Sequence, residues 1–275
     1  MQRFNIGKLL RWLVMALLAA LFLLPIYLML VVSLKSSSES LSGLASLSAA
    51  IPTLGNYAHV FKIIPYGRYM WNTLVIAGLS VLGQLIVCPM VAYSISKVHW
   101  FGAKPITALL FGTLMLPYFT IMVPLYKQWS MLGLTGTPWP LILCNLFGNS
   151  FYIIIIRQFM LGMPDSMLEA VSIDGCSEWQ KYWYIMLPLS KAPMATIAIL
   201  SFVANWSDYL SPMLYLSKKE DYTLSLGLYS FIGQHSVDWT LLMAAAAIFV
   251  LPAMLVFIFF QKYFVQGIAT TGMKS

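Results

Sequence analysis

Acidic side chains are scarce in this sequence, nine in 275 residues, and four of them share one short stretch. From Arg157 to Lys191 it reads RQFMLGMPDSMLEAVSIDGCSEWQKYWYIMLPLSK, placing Asp165, Glu169, Asp174 and Glu178 four or five residues apart. Carboxylates so spaced admit three chemistries. They can ligate a hard cation, but no His stands near them. They can form the polar side of an interfacial amphipathic segment, although acids are poorly suited to an anionic cytoplasmic leaflet. They can also present a short helix to a groove on a protein partner. A further acid, Asp208, interrupts a long apolar run within Asn205-Trp206-Ser207-Asp208-Tyr209. Other chemistries find no support. Cys88, Cys144 and Cys176 are too scattered for a disulfide framework or a zinc site, and His59, His99 and His235 fall in different stretches. A phosphate-binding loop needs Gly-x4-Gly-Lys-Ser/Thr, yet the only Gly-Lys pair, Gly7-Lys8, is followed by Leu9. The chain therefore does not hydrolyse ATP by that route, and we expect neither a catalytic centre nor a metal site.

The elements that must hold these residues follow from the charge distribution. Charged residues make up 9% of the chain and hydrophobic ones 60%, whereas a soluble domain carries about 25% charged residues. A spanning helix needs about 20 mostly apolar residues. Long stretches nearly free of charge predict an all-α integral membrane domain over 1–275, with six transmembrane helices at about 12–34, 70–96, 105–126, 137–157, 192–216 and 239–261. The runs are too long and too unalternating for barrel strands. The first apolar run is longer than the core of a cleaved signal, about 7–15 residues, so we read it as a helix. The basic residues favour cytoplasmic N- and C-termini, a bias that explains the net charge of +7 without a nucleic-acid partner. This topology makes 35–68 an external, lid-like loop, 160–190 a cytoplasmic loop and 262–275 a short cytoplasmic tail. Pro117 and Pro124 should bend the third span.

Within the acidic loop, Pro164 suits the first turn of a helix, with Asp165 near its positive end. Met167, Leu168, Val171 and, less cleanly, Ala170 form an apolar stripe. Asp174-Gly175 supplies a stop. Ser177 and Gln180 form a capping box for a second short helix, which Pro188 closes and whose apolar face is Trp179, Tyr182, Trp183 and Met186.

Glu169-Ala170-Val171, Asp174-Gly175 and Leu187-Pro188 together resemble the EAA loop of ABC-importer permeases. Arg157-Gln158-Phe159 and Pro164 also fit that family. Thr53-Leu54-Gly55-Asn56-Tyr57 resembles the external motif of its carbohydrate-type members, and Asn205 to Tyr209 their fifth helix. Gln261-Lys262-Tyr263-Phe264-Val265-Gln266-Gly267 is similar to the C-terminus of the six-helix permease of maltose transporters. Val171 and Cys176 stand where the family usually has Ala, both small replacements.

The resemblance implies a type I ABC importer permease fold in a bacterial cytoplasmic (inner) membrane, and a transport subunit rather than an enzyme. It implies a second homologous permease, two ATPase subunits that bind ATP and magnesium, and an extracytoplasmic solute-binding protein. The coupling helix would seat Pro164, Glu169, Ala170, Val171, Asp174, Gly175, Leu187 and Pro188 toward the ATPase, and Gln261, Gln266 and Gly267 of the tail would reach the same interface. Asn205, Trp206, Asp208 and Tyr209 would line the pathway of a sugar, of the oligosaccharide class. An intramembrane acid usually faces protein or a water-filled cavity, but Asp208 can equally cap a bend near Pro212. Trp206 and Tyr209 can stack on sugar rings or join an interfacial aromatic belt. A polyol or glycerol-phosphate-type solute is the nearest alternative cargo. An ion-coupled transporter would ordinarily show several intramembrane ionisable residues.

Overall fold

Uninterrupted apolar sequence becomes uninterrupted helix in the computed structural model, which describes residues 6–36, 52–232 and 237–272, with side chains for 7–36, 52–232 and 237–261. The longest helices are α1 (Ile6–Ser33), α3 (Tyr66–Ser96) and α13 (Trp239–Gly272), each carrying an internal proline without breaking. Shorter ones lie between: α2 (Gly55–Ile63), α4 (Ala103–Leu114), α5 (Tyr118–Met131), α6 (Trp139–Leu146), α7 (Ser150–Leu161), α8 (Asp165–Ile173), α9 (Glu178–Leu189), α10 (Lys191–Ser207), α11 (Leu210–Tyr215) and α12 (Leu224–Leu228). The described residues form no strand, only an isolated bridge between Ile232 and Val237.

Four helical stretches among the described residues are long and apolar enough to cross a membrane, or six if each of two bent pairs is one span. The departures from the sequence expectation occur at identifiable residues. The third stretch bends as expected, but as a full break, with α4 and α5 meeting at 105°. A residue before proline is pushed out of the α region, and Pro117 itself is extended, with ψ of 138°. Pro124 sits inside α5. The fourth stretch pauses between α6 and α7 at Gly148, whose φ of +91° suits glycine. The fifth ends early, because Asp208 turns extended after Ser207. The expected polar tail is helical through Gly272, while Met273–Ser275 lie outside the described residues.

The chain divides into two compact units. The first comprises Met1–Gly67 and Gly227–Pro252. Residues 37–51 of the expected lid-like loop lie outside the described residues; the following segment forms α2 against the end of α1. Here Thr53-Leu54-Gly55-Asn56-Tyr57 acts as a clamp. The buried Asn56 amide donates to the carbonyls of Ser33 and Lys35, 2.8 Å each. Tyr57 Oη lies 2.7 Å from Ser33 Oγ, and Thr53 N donates to Leu34 O at 2.9 Å. The last carbonyls of a helix have no partner within it, and this motif supplies one.

The second unit, Arg68–Leu226 and Ala253–Ser275, holds two apolar clusters. One joins α3, α7, α8, α9 and α10 through Tyr93, Ile156, Met160, Leu168, Tyr182, Met186 and Ile197. The other joins α3, α6 and α11 through Ile76, Leu141, Ile142 and Tyr215. The helices α3 and α6 approach so closely at Gly83 that a Cβ there would lie 2.8 Å from Leu146 Cα.

Removing the clamp strands the two carbonyls. We expect Asn56→Ala to destabilise the detergent-solubilised chain by roughly 1–3 kcal/mol. Asn56→Asp keeps the shape but loses the donor, so its thermal midpoint should fall at least as far. A wild-type midpoint in Asn56→Asp would refute the clamp.

Candidate functional site: the acidic loop and an interhelical cavity

Pro164 occupies the N-cap position of α8, one residue earlier than expected, and is extended with ψ of 134°. The helix stops at Asp174 because Gly175 takes φ of +79°, where a Cβ would be strained. Gly175 N then bonds Ser172 O and Cys176 N bonds Val171 O. Ser177 and Gln180 form the expected reciprocal capping box. Pro188 does not close the second helix; it lies in the final turn of α9, after a π-helical segment at Tyr182–Met186. Of that helix's expected apolar face, Tyr182 and Met186 are buried whereas Trp179 and Trp183 are exposed.

The α8 helix is two-faced. Leu168 is buried, with Met167 and Met163 packed around it. Glu169, Ala170, Ile173, Asp174 and Gly175 are exposed, as is Pro188, whereas Val171 and Leu187 are half-buried. Both ends of the loop are tied to the end of α3. Lys97 follows that helix, and its side chain is 3% exposed. Its Nζ donates to Met163 O at 2.7 Å and to the Asp165 carboxylate. Four residues earlier, Tyr93 Oη donates to Glu178 Oε2 at 2.7 Å, and Lys181 Nζ donates to Glu178 Oε1. The hydrogen bond and charge of Lys97 hold the Asp165 carboxyl below the usual carboxylate range. The hydrogen bond from Lys181, then that from Tyr93, does the same for Glu178 against some opposition from burial.

A cavity of about 530 Å³ opens within the second unit, walled by α3, α5, α6, α7, α10 and α11. Asn145 and Asn205 give it a polar side. Gln84 Nε2 donates to Asn145 Oδ1 at 3.3 Å, Asn145 Nδ2 to Asn205 Oδ1 at 3.1 Å, and Asn205 Nδ2 to Ser201 O at 2.8 Å. Opposite them, Tyr118 Oη lies 3.1 Å from Ser211 Oγ. Tyr215 is buried, stacks on Tyr126, and its hydroxyl has no hydrogen-bond partner among the described residues. The lining contains Asp208 and no Lys, Arg or His. Asp208 Oδ1 accepts from Ser211 N at 3.1 Å, capping α11 just before Pro212.

The sequence-predicted residues thus divide. Asn205 and Asp208 line the cavity together. Trp206 is fully buried and stacked on Phe202 at 5.5 Å, so its ring is part of the packing; neither it nor Tyr209 is in the cavity lining. Gln261 is exposed on α13, and the side chains of Gln266 and Gly267 lie outside the described residues. Gln84, Asn145, Tyr118 and Tyr215 were missed, as were the roles of Tyr93 and Lys97. A lone amide within a charge-free span, as at Gln84 and Asn145, is the signal that marks such positions.

Residues 85–270 match the family described as binding-protein-dependent transport system inner membrane component. The chain belongs to this family. The ABC-permease resemblance read from the motifs is upheld, and this permease is a membrane transport subunit rather than an enzyme. It is 30% identical to the arabinooligosaccharides transport system permease protein AraQ of Bacillus subtilis (strain 168), over 99% of this chain and 98% of that protein. It is 28% identical to a probable starch degradation products transport system permease protein of Thermoanaerobacterium thermosulfurigenes, over the full length of both. In fold it is similar to a chain of a bacterial ABC transporter involved in import of the acidic polysaccharide alginate, with TM-score 0.82, 22% identity, and coverage of 96% of this chain and 98% of that one.

The depressed pKa values of Asp165 and Glu178 fix a pH dependence. A carboxylate with a depressed folded pKa contributes stability above its ordinary value, lost as pH falls through the depressed one. A spin label at Ile173, on the exposed face of α8, should stay immobilised at neutral pH and gain mobility only as pH falls below the ordinary carboxylate range and through the depressed values. A line shape that stays unchanged until the whole chain unfolds in acid would contradict these ties.

Proposed function

We propose that this permease is one subunit of an ATP-driven importer that moves a sugar, of the oligosaccharide class, across the bacterial cytoplasmic membrane by alternating access. In this reading the chain crosses the membrane six times with both termini cytoplasmic. It pairs with a second homologous permease and receives solute from an extracytoplasmic binding protein. Two ATPase subunits bind ATP and magnesium and grip the exposed face of α8 around Glu169, Ala170 and Gly175, with the tail at Gln261, Gln266 and Gly267 beside them. The carbohydrates named for its relatives support the cargo class.

The cavity carries the reading in this chain. Its walls are largely aliphatic and aromatic, with the amides of Asn145 and Asn205 and the hydroxyls of Tyr118 and Ser211 among them to meet a ligand's hydroxyl groups. Tyr215 is part of that lining, and Asn145 and Asn205 are held in position by Gln84 and Ser201. A glycerol-phosphate-type cargo is disfavoured, since the lining has no cation to meet a phosphate. An ion-coupled mechanism is disfavoured because the one carboxylate in the lining is engaged in capping α11.

Two outcomes are expected of the assembled transporter in proteoliposomes. Oligosaccharide uptake requires both ATP and the binding protein; uptake driven by an ion gradient alone would overturn the proposal. Gly175→Asp abolishes stimulation of the ATPase by the binding protein, because the substitution strains the left-handed turn beside the docking face.

A further inference from the structure

Energy delivered at α8 is useful only if the helix passes its displacement to the membrane, and short connections on either side of α8 would dissipate it unless something else carried the load. The geometry points to α3 as that carrier: we propose that Lys97, Tyr93 and Glu178 are positioning residues that moor both ends of α8 to one helix, so that α8 and α3 move as one body. This rests on the reading of α8 as the ATPase seat.

The first mooring is at the entry to α8. The Lys97 ammonium, almost out of water, takes the Met163 carbonyl and the Asp165 carboxylate, on either side of Pro164. A buried charge holds its partners firmly because release leaves it uncompensated. The second is at the exit. Glu178, the first residue of α9, spends one oxygen on Lys181 within its own helix and the other on Tyr93 of α3. Tyr93 is buried, and its ring packs on Tyr182 at 5.6 Å. Between the moorings Leu168 is sunk among Met160, Met163 and Met186, while Ile173, Glu169 and Ala170 face outward. The loop is therefore pinned at two points on the end of one unbroken helix, with its outer face left for a partner.

The same helix reaches the cavity. Nine residues before Tyr93, Gln84 bonds Asn145, which bonds Asn205 in the cavity wall. At its far end Asn72 holds the carbonyls of Glu220 and Tyr222, and Thr73 Oγ1 accepts from Leu224 N at 2.8 Å. A push on α8 therefore acts on α3, and through it on two walls of the cavity.

The test is the number of sugar molecules imported per ATP hydrolysed by the assembled transporter in proteoliposomes, read beside the thermal midpoint of each variant. Tyr93→Phe keeps the ring and removes the hydrogen bond; Lys97→Met keeps the stem and removes the charge. Each should lower the ratio by about 2–10-fold while ATP hydrolysis continues. Glu178→Leu should match Tyr93→Phe, and the double variant should be no worse than Glu178→Leu alone, as residues of one latch are not additive. Glu178→Gln, which retains an oxygen for Tyr93, should restore the ratio to within about 2-fold. An unchanged ratio in both Tyr93→Phe and Lys97→Met, or additive losses from Tyr93→Phe and Glu178→Leu, overturns the mooring. A wild-type transporter that imports without ATP overturns the reading beneath it instead, and the mooring falls with it.

Discussion

In hydrocarbon a polar side chain has no water to bond, so each one inside a bilayer must find its partner in protein. That constraint organises the second unit around α3. Along one 31-residue helix and the residue after it stand Thr73, Gln84, Tyr93 and Lys97, each largely enclosed and each bonded to a different segment. The partners are the start of α12, the end of α6, the start of α9 and the start of α8. The apolar clusters fill the space between these contacts. The polar contacts select which elements meet, because a mismatched register would leave an amide or an ammonium unpaired.

The continuity of α3 contrasts with the breaks around it. The bend between α4 and α5, the pause at Gly148 and the extended Asp208 all border the cavity or adjoin helices that line it. Irregular backbone at membrane depth is tolerated where it is buried in protein or faces a water-filled space. An unbroken helix beside broken ones is an arrangement in which a load applied at one end can alter the shape of a cavity. Gly83 allows α3 to lie against α6 without an intervening side chain, which shortens the path from that helix to Asn145.

Much of this was legible in the sequence, where local physics is decisive. The α1, α3 and α13 helices follow from apolar length, the end of α8 from Asp174-Gly175, and the start of α9 from Ser177 and Gln180. The harder features depend on what lies across space. Trp206 and Asn205 are neighbours in the chain, but only the packing of Phe202 and the position of Asn145 turn one into core and the other toward the cavity. Asp208 presented two options, lining and capping, and the structure uses it for both. Nothing local in the sequence marks Lys97; its burial against Met163 depends on a loop more than 60 residues away. The external-type motif at Thr53–Tyr57 was recognisable as a motif, but its clamp on Ser33 and Lys35 needed the coordinates of both.

Whether α8 and α3 move as one body is read from a single distance. Spin labels at Ile173 on α8 and Trp71 near the start of α3, both exposed, report it by pulsed electron resonance in the full transporter. If the two helices are moored together, one distance distribution is expected, unchanged between the nucleotide-free and ATP-trapped states, while transport proceeds. A shift or a second peak on ATP trapping would show α8 moving against α3 and would contradict it.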